Sequence, residues 1–278
     1  MDMYVDLHTH SNHSDGTDSP AEVISKAKHA GLSAVALTDH DTTSGLDEFI
    51  KSGLLHGIET VPGIEICTKM LDIEVHLLGY FIDHENEIMK SFLVKQTVSR
   101  LDKNRKTFER LQALGFDVDL TDFTESRGII TRGSIAAVMC RKGFAENREE
   151  VFAKYLGEGK PAFVDRERVP VEEAVRLILA CGGIPVMAHP YMYDVDDGDF
   201  EREIAVLANA GLCGIEVLYP KQYSAERETF FRGLAAKNSL LITGGSDYHG
   251  GNKPARLGLV QNNEHVPYEL LAAIKGRL

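Results

Sequence analysis

The sequence predicts an α/β protein, a parallel (β/α) barrel that is interrupted once by a small helical subdomain. Short apolar runs of strand type alternate with amphipathic helical segments along most of the 278 residues. This alternation stops between residues 86 and 168. In addition, residues that can bind metals recur in or just after the apolar runs, and the carboxyl ends of parallel strands gather on one face of a barrel.

Four strand-type runs precede the interruption. The first is Tyr4-Val5, and the others lie at 34–37, 61–65 and 73–78. Between the first two, Ser19-Pro20-Ala21-Glu22 has the form of a capping box with proline at the first helical position. Gly31 suits the end of that helix.

The alternation resumes beyond residue 170. We expect strands at 184–188, 214–218 and 240–243, separated by helices at 171–181, around 200–210 and after Ser224. Pro267 opens a final helix. The total is about seven strands, which is typical of a parallel α/β barrel.

Residues 86–168 supply little strand signal. Phe92, Leu101, Phe108 and Leu111 recur at helical spacing in a charge-rich segment. We therefore predict one barrel domain built from 1–85 and 169–278, and an inserted helical subdomain, 86–168, that caps the substrate.

Composition limits the classes of function. The formal charge of −12 argues against extended contact with a nucleic-acid backbone, and no apolar run approaches the length of a membrane span. We see no secretory signal, and the four cysteines are widely spaced without a Cys-x-x-Cys pair. The expectation is a cytoplasmic protein with reduced thiols, in which Cys67 belongs to the core.

The most informative motif is Asp6-Leu7-His8-Thr9-His10, followed by Ser14-Asp15-Gly16. Two imidazoles two residues apart at the end of a strand point to the same side of the sheet. Imidazoles with a nearby carboxylate are good ligands for a transition metal. The same chemistry recurs at the other strand-type runs, and the candidate ligands are His8, His10, Asp15, His40, Glu65, His76, His189, Asp247 and His249.

These motifs resemble the polymerase-and-histidinol-phosphatase (PHP) family. The matching segments are Asp6–His10, Thr38-Asp39-His40-Asp41, Gly63-Ile64-Glu65, Val75-His76-Leu77, Ala188-His189-Pro190 and Ser246-Asp247-Tyr248-His249-Gly250. The resemblance implies a distorted seven-stranded barrel that holds two or three divalent ions, with zinc, manganese or iron all compatible with mixed nitrogen and oxygen ligands. The insert resembles the branch that includes nucleoside 3′,5′-bisphosphate phosphatases and related 5′-to-3′ exoribonucleases.

The resemblance also implies a partition of the ligands. His8, His10, Glu65 and Asp247 would hold one ion, and Glu65 would bridge to a second ion held by His76 and His189. Asp15, His40 and His249 would hold the third. Metal-bound hydroxide would then attack phosphorus, and a metal-bound water, Asp247 or His249 would protonate the leaving group.

Three residues of the insert are candidates for substrate binding. Arg132 opens a predicted helix, whose first N–H groups favour an anion. Ser134 lies in the same segment, where related bisphosphatases often carry histidine, and Lys160 in Gly157–Ala162 resembles a substrate-binding segment.

The sequence leaves several functions open. We expect a metal-dependent phosphoesterase that acts on a small phosphorylated metabolite, and the substrate that we predict is a nucleotide with more than one phosphate. A cyclic phosphodiesterase and an exoribonuclease acting on short oligonucleotides are alternatives within hydrolysis. A non-catalytic metal-binding module is the alternative of another class, and the presence of all nine candidate ligands argues against it.

Overall fold

A computed structural model describes residues 3–123 and 128–278 of the chain. The described residues divide into two compact units, one within the ranges 1–90 and 168–278 and the other within 91–167. Across the described ranges, no helix combines the length and the apolar character that a membrane crossing requires.

The first unit is built on a mixed sheet of nine strands. In chain order these are β1 (Tyr4–Asp6), β2 (Ala34–Leu37), β3 (Glu59–Met70), β4 (Ile73–Tyr80), β5 (Val169–Pro170), β6 (Ile184–Met187), β7 (Gly214–Leu218), β8 (Leu241–Gly244) and β9 (Val266–Pro267). They are arranged in the order β8-β7-β6-β4-β3-β2-β1-β9, and β5 pairs with β3. The helices of this unit are α1 (Pro20–His29), α2 (Leu46–His56), α6 (Val171–Ala180), α7 (Asp197–Ala210), α8 (Ala225–Lys237) and α9 (Tyr268–Lys275).

The sheet is not the purely parallel, seven-stranded one that the sequence predicts. β4 runs antiparallel to both β3 and β6, and β9 runs antiparallel to β1. The physical reason at β4 is its connection to β3, a turn of two residues, Leu71 and Asp72, with φ of 48° and 63°. A two-residue turn with positive φ at both positions can join only antiparallel neighbours. The short β5 and β9 add to the seven predicted strands.

The sheet is nearly closed, because the ends of β8 and β1 meet. The Leu7 N–H donates to the Gly244 carbonyl over 3.3 Å, and Thr9 forms a parallel bridge with Tyr248. Gly245 permits this approach, since a Cβ at that position would lie 2.4 Å from the His8 Cβ. Val5, Leu7 and Val266, on the β1 side of the closure, belong to one buried cluster, and Leu241 of β8 packs against it.

The second unit is helical. From Ser91 onward, α3 (Glu87–Ala113) belongs to it, together with α4 (Arg132–Arg141) and α5 (Arg148–Val151), which continues as a π-helical turn over Phe152–Leu156. Its core gathers Phe108, Leu111, Ile135, Met139 and Val151 among other buried side chains. A capping box between Thr131 and Ser134 starts α4.

Candidate metal centre

Strand ends bring all nine predicted ligands of the first unit to one place. His8 and His10 follow β1, and His40 follows β2. Glu65 and His76 lie in β3 and β4, on either side of the hairpin, and His189 follows β6. Asp247 and His249 follow β8, and Asp15 lies between β1 and α1. All nine side chains belong to clusters of three or four in which the donor atoms lie within 4.8 Å of one another.

The first cluster joins His8, His10, Glu65 and Asp247. His8 Nε2 lies 3.1 Å from His10 Nε2 and 3.3 Å from Glu65 Oε2. His10 Nε2 lies 3.1 Å from Glu65 Oε2 and 3.3 Å from Asp247 Oδ1. The distance from His8 Nε2 to Asp247 Oδ1 is 3.5 Å.

These separations fit a metal ion better than a hydrogen-bond network. Four ligands about 2.0–2.2 Å from one tetrahedral ion lie roughly 3.3–3.6 Å from one another. Without an ion, the 3.1 Å contact between His8 Nε2 and His10 Nε2 is hard to satisfy with hydrogen bonds. Each nitrogen also faces a carboxylate oxygen, to which it should donate a proton, but a hydrogen bond between the two nitrogens requires one of them to be an acceptor. Imidazole and carboxylate together suit zinc, manganese or iron.

Glu65 faces two clusters with its two oxygens. Its Oε2 belongs to the first cluster, whereas its Oε1 lies 2.8 Å from His76 Nδ1 and 2.9 Å from His189 Nε2. The carboxylate is fully buried. A glutamate in this position can bridge two ions.

The third cluster joins Asp15, His40, His249 and, through its second nitrogen, His10. Asp15 Oδ1 lies 3.1 Å from His249 Nε2, 3.9 Å from His40 Nε2 and 4.0 Å from His10 Nδ1. Asp15 Oδ1 and His249 Nε2 are both buried, and neither makes a hydrogen bond of acceptable geometry within the described part of the chain. Buried polar atoms without partners are costly, so this pair also fits a bound cation.

The electrostatics of the site keep its carboxylates ionised. Burial would raise the pKa of Glu65, but His40, His76 and His8 together hold the pKa well below its usual range. Burial would likewise raise the pKa of Asp247, which Lys253 and His249 lower instead. Conversely, burial lowers the pKa of His8, while Glu216, Glu65 and Asp247 more than offset this and raise it. Positive and negative groups therefore compensate one another in a site whose side chains are largely buried.

Two proposed ligands have unusual backbone conformations. His189 has φ of 26° and Asp247 has φ of 49°, in the region that non-glycine residues rarely adopt. Such conformations persist only where the surroundings enforce them, and they cluster at functional sites.

Several supporting residues escaped the sequence analysis. Glu216 is fully buried in β7, lies 3.0 Å from His8 Nδ1 and accepts a 2.7 Å hydrogen bond from the His189 N–H. Tyr219 and Lys253 both donate to Asp247 Oδ2, over 2.8 and 2.7 Å. The signal for Glu216 was present, because an acidic residue inside the apolar run Ile215-Glu216-Val217 requires a buried partner.

Cys67 is buried as predicted, but its surroundings are not purely apolar. Its Sγ lies 3.9 Å from His40 Nδ1. Burial and Asp41 raise the pKa of the thiol, but His76 and His40 outweigh them and bring it to about 6. Cys67 therefore borders the metal centre as well as the core.

Arg132, Ser134 and Lys160 belong to the second unit. Arg132 is the first residue of α4, and its guanidinium lies 5.5 Å from the centre of the Phe163 ring. The Ser134 hydroxyl accepts from the Thr131 N–H over 2.7 Å, so it has a capping role. Their contact with substrate stays a prediction.

Comparisons with known proteins show the family to which the chain belongs. The family model described as PHP domain matches residues 6–157. Over 250 residues the chain is 33% identical to the 5′-3′ exoribonuclease Rnm of Salmonella typhimurium. The matched region covers 88% of this chain and 84% of the exoribonuclease. It is also 33% identical over 256 residues to the 3′,5′-nucleoside bisphosphate phosphatase of Chromobacterium violaceum. That match covers 91% of this chain and 89% of the phosphatase.

A solved structure from Bifidobacterium adolescentis, provisionally described as a metal-dependent phosphoesterase, shares the fold. Its TM-score is 0.88 at 29% identity, covering 99% of this chain and 96% of that one. The fold and the donor clusters are those of a metal-dependent phosphoric ester hydrolase. The chain belongs to the PHP family.

Proposed function

We propose that this centre hydrolyses a phosphate ester of a small nucleotide that carries more than one phosphate. The observation that carries the proposal is Glu65, whose Oε2 faces His8 and His10 while its Oε1 faces His76 and His189. Glu65, together with the histidines on its two sides, would hold divalent ions, which would supply activation of water and neutralisation of phosphoryl charge.

The protein side chains have distinct parts in this proposal. His8, His10, Glu65 and Asp247 would hold the first ion, Glu65 with His76 and His189 the second, and Asp15, His40 and His249 the third. Glu216 and Tyr219 orient His8 and Asp247 through hydrogen bonds. Of the two side chains that the sequence offers for protonating the leaving group, we favour His249, because Asp247 is held ionised by its surroundings.

Charge favours a small substrate over a long RNA. The net charge is −12, and binding along a nucleic-acid backbone requires a basic groove. The bisphosphate phosphatase among the relatives supports a nucleotide with two phosphates, whereas the exoribonuclease relative supports short oligonucleotides as the second candidate.

A substrate panel tests the proposal. The metal-loaded protein should be assayed with adenosine 3′,5′-bisphosphate, the two adenosine monophosphates, a cyclic phosphate and a five-nucleotide RNA. We expect the highest kcat/KM on the bisphosphate. A higher kcat/KM on the oligonucleotide, or on the cyclic diester, would replace the proposed function. The same panel with Arg132→Ala and Lys160→Ala tests the predicted substrate contacts.

A further inference from the structure

A cavity of about 540 Å³ adjoins the metal centre within the first unit. Ser246 and the proposed ligand Asp247 belong to its wall, so the cavity borders the first cluster of the metal centre. The loops that follow β7 and β8 form most of the remaining lining, which runs over Tyr219–Lys221 and Lys253–Arg256. A volume of several hundred Å³ is that of a small-molecule site.

The wall of this cavity is mainly positive, whereas the chain as a whole is negatively charged. Three cations, Lys221, Lys253 and Arg256, line the cavity, and Asp247 is its one acidic lining residue. The chain as a whole has a net charge of −12, and ions bound at the neighbouring centre would add to the positive potential of the cavity. The cavity therefore suits an anionic group.

Two of these cations, Lys221 and Arg256, form no ion pair with a carboxylate of the described residues. Among the residues that the structure describes, neither Lys221 nor Arg256 has a carboxylate oxygen within 4 Å of its side-chain nitrogens. Lys221 Nζ lies 3.8 Å from Met192 Sδ. Arg256 uses Nη2 to donate to Asn263 Oδ1 over 2.7 Å, which fixes the guanidinium while leaving its other N–H groups for a ligand.

Lys253 differs from the other two. Its Nζ donates to Asp247 Oδ2 over 2.7 Å, and 41% of its side chain is exposed. It therefore links the cavity to the metal centre, since it contacts a proposed ligand and can still reach an anion. The apolar part of the wall, including Met192, Pro220 and Leu259, suits a sugar or base.

We infer that this cavity binds the part of the nucleotide that is not cleaved, and that Arg256, assisted by Lys221 and Lys253, binds its second phosphate. The inference rests on the proposed function, because it assumes that the ester reacts at the metal centre. A planar guanidinium can hold two phosphate oxygens at once, so Arg256 is the expected determinant of specificity.

The decisive measurement is a ratio of kcat/KM values. Adenosine 3′,5′-bisphosphate is compared with the better of adenosine 3′-phosphate and adenosine 5′-phosphate, each of which lacks one phosphate. Arg256→Ala should lower this ratio roughly 10- to 150-fold, the value of a charge-assisted contact, while kcat/KM on the monophosphate changes little. Arg256→Lys should recover part of the loss.

Controls separate this role from others. Lys51→Ala and Arg202→Ala remove exposed cations on α2 and α7 and should leave the ratio unchanged. Metal content is measured for every variant, and for Lys253→Ala in particular, because Lys253 contacts Asp247. Thermal unfolding shows whether each variant is folded.

The outcomes distinguish the two proposals. A wild-type protein that strongly prefers the bisphosphate, with the preference intact in Arg256→Ala, contradicts this inference and leaves the proposed function standing. Equal losses on both substrates also contradict it, because Arg256 would then support the site as a whole. A wild-type protein with no such preference contradicts both.

Discussion

Glu216 illustrates how a buried carboxylate outside the ligand set can act on a metal centre. One of its oxygens lies 3.0 Å from His8 Nδ1 and the other accepts from the His189 N–H. It therefore directs His8 Nε2 toward the first cluster. It also fixes the backbone of His189, which belongs to the second cluster. Partners of this kind set the tautomer and orientation of ligating histidines.

Glu216→Gln should weaken metal binding without removing a ligand. A glutamine has one acceptor oxygen, so either His8 Nδ1 or the His189 N–H must face an NH₂ group. Loss of such a partner typically costs about 10- to 100-fold in metal affinity. Titration of the metal-free protein with Mn²⁺ or Zn²⁺ measures the change, and activity should return toward wild type at high metal concentration.

The matched control is Glu264→Gln, at an exposed position. If Glu216→Gln binds metal as tightly as this control does, Glu216 does not position the ligands. If its activity stays low when the sites are saturated, it acts on the reaction rather than on metal binding.

At the scale of elements, the β3–β4 hairpin decides the topology of the sheet. It brings Glu65 and His76 onto neighbouring strands, so that the bridging glutamate and a ligand of the second cluster meet. Its turn uses Leu71 and Asp72 at positive φ, although Asn-Gly is the preferred pair for such a turn. Leu71 is also exposed.

Replacing the turn with Leu71→Asn and Asp72→Gly should stabilise the protein. Both new residues adopt positive φ readily, and relief of backbone strain contributes about 1 kcal/mol or more to the free energy of unfolding. Urea unfolding measures the change. Leu71→Val is the opposite control and should destabilise, because a β-branched residue is poorly suited to this conformation. If the double variant were less stable than wild type, the strain argument would be wrong.

Local signals in the sequence predicted many of the elements. The capping box at Ser19 and Glu22 starts α1 as expected, and Pro267 precedes α9. These features depend on neighbouring residues, so the sequence carries them directly. The candidate ligands could likewise be chosen by residue type and by their position in or after strand-type runs.

Other features depend on tertiary contacts and could not be predicted. The reversed direction of β4 depends on a turn with no glycine or asparagine to mark it. The approach of Gly245 to His8, and the cations around the cavity, depend on segments far apart in sequence. The hydrophobic periodicity of a sequence indicates local secondary structure and carries no information about contacts between distant segments.

For the whole molecule, the nine candidate ligands bring several buried charged groups together in the first unit. Asp15, Glu65 and Asp247 have lowered pKa values despite burial, so three carboxylates are held ionised inside the barrel. Bound cations would relieve the repulsion among them and satisfy their remaining lone pairs.

Chelation should therefore lower the melting temperature. A ligand present at 100 to 1,000 times its Kd stabilises by about 2.7–4.1 kcal/mol, which corresponds to roughly 5–15 °C for a chain of this size. Differential scanning calorimetry before and after treatment with a chelator measures the shift, and added Mn²⁺ or Zn²⁺ should reverse it. An unchanged melting temperature, once mass spectrometry shows that the ions are gone, would mean that metals do not stabilise the fold.

The most direct test of the central claim combines metal analysis with phosphate release. The protein should bind at least two divalent ions per chain and release phosphate from a nucleoside bisphosphate. His8→Ala and Asp247→Ala should each lose metal and turnover, because both residues belong to the first cluster. A folded, metal-loaded protein that releases no phosphate from any ester of the panel would contradict the claim, as would an Asp247→Ala variant with wild-type turnover.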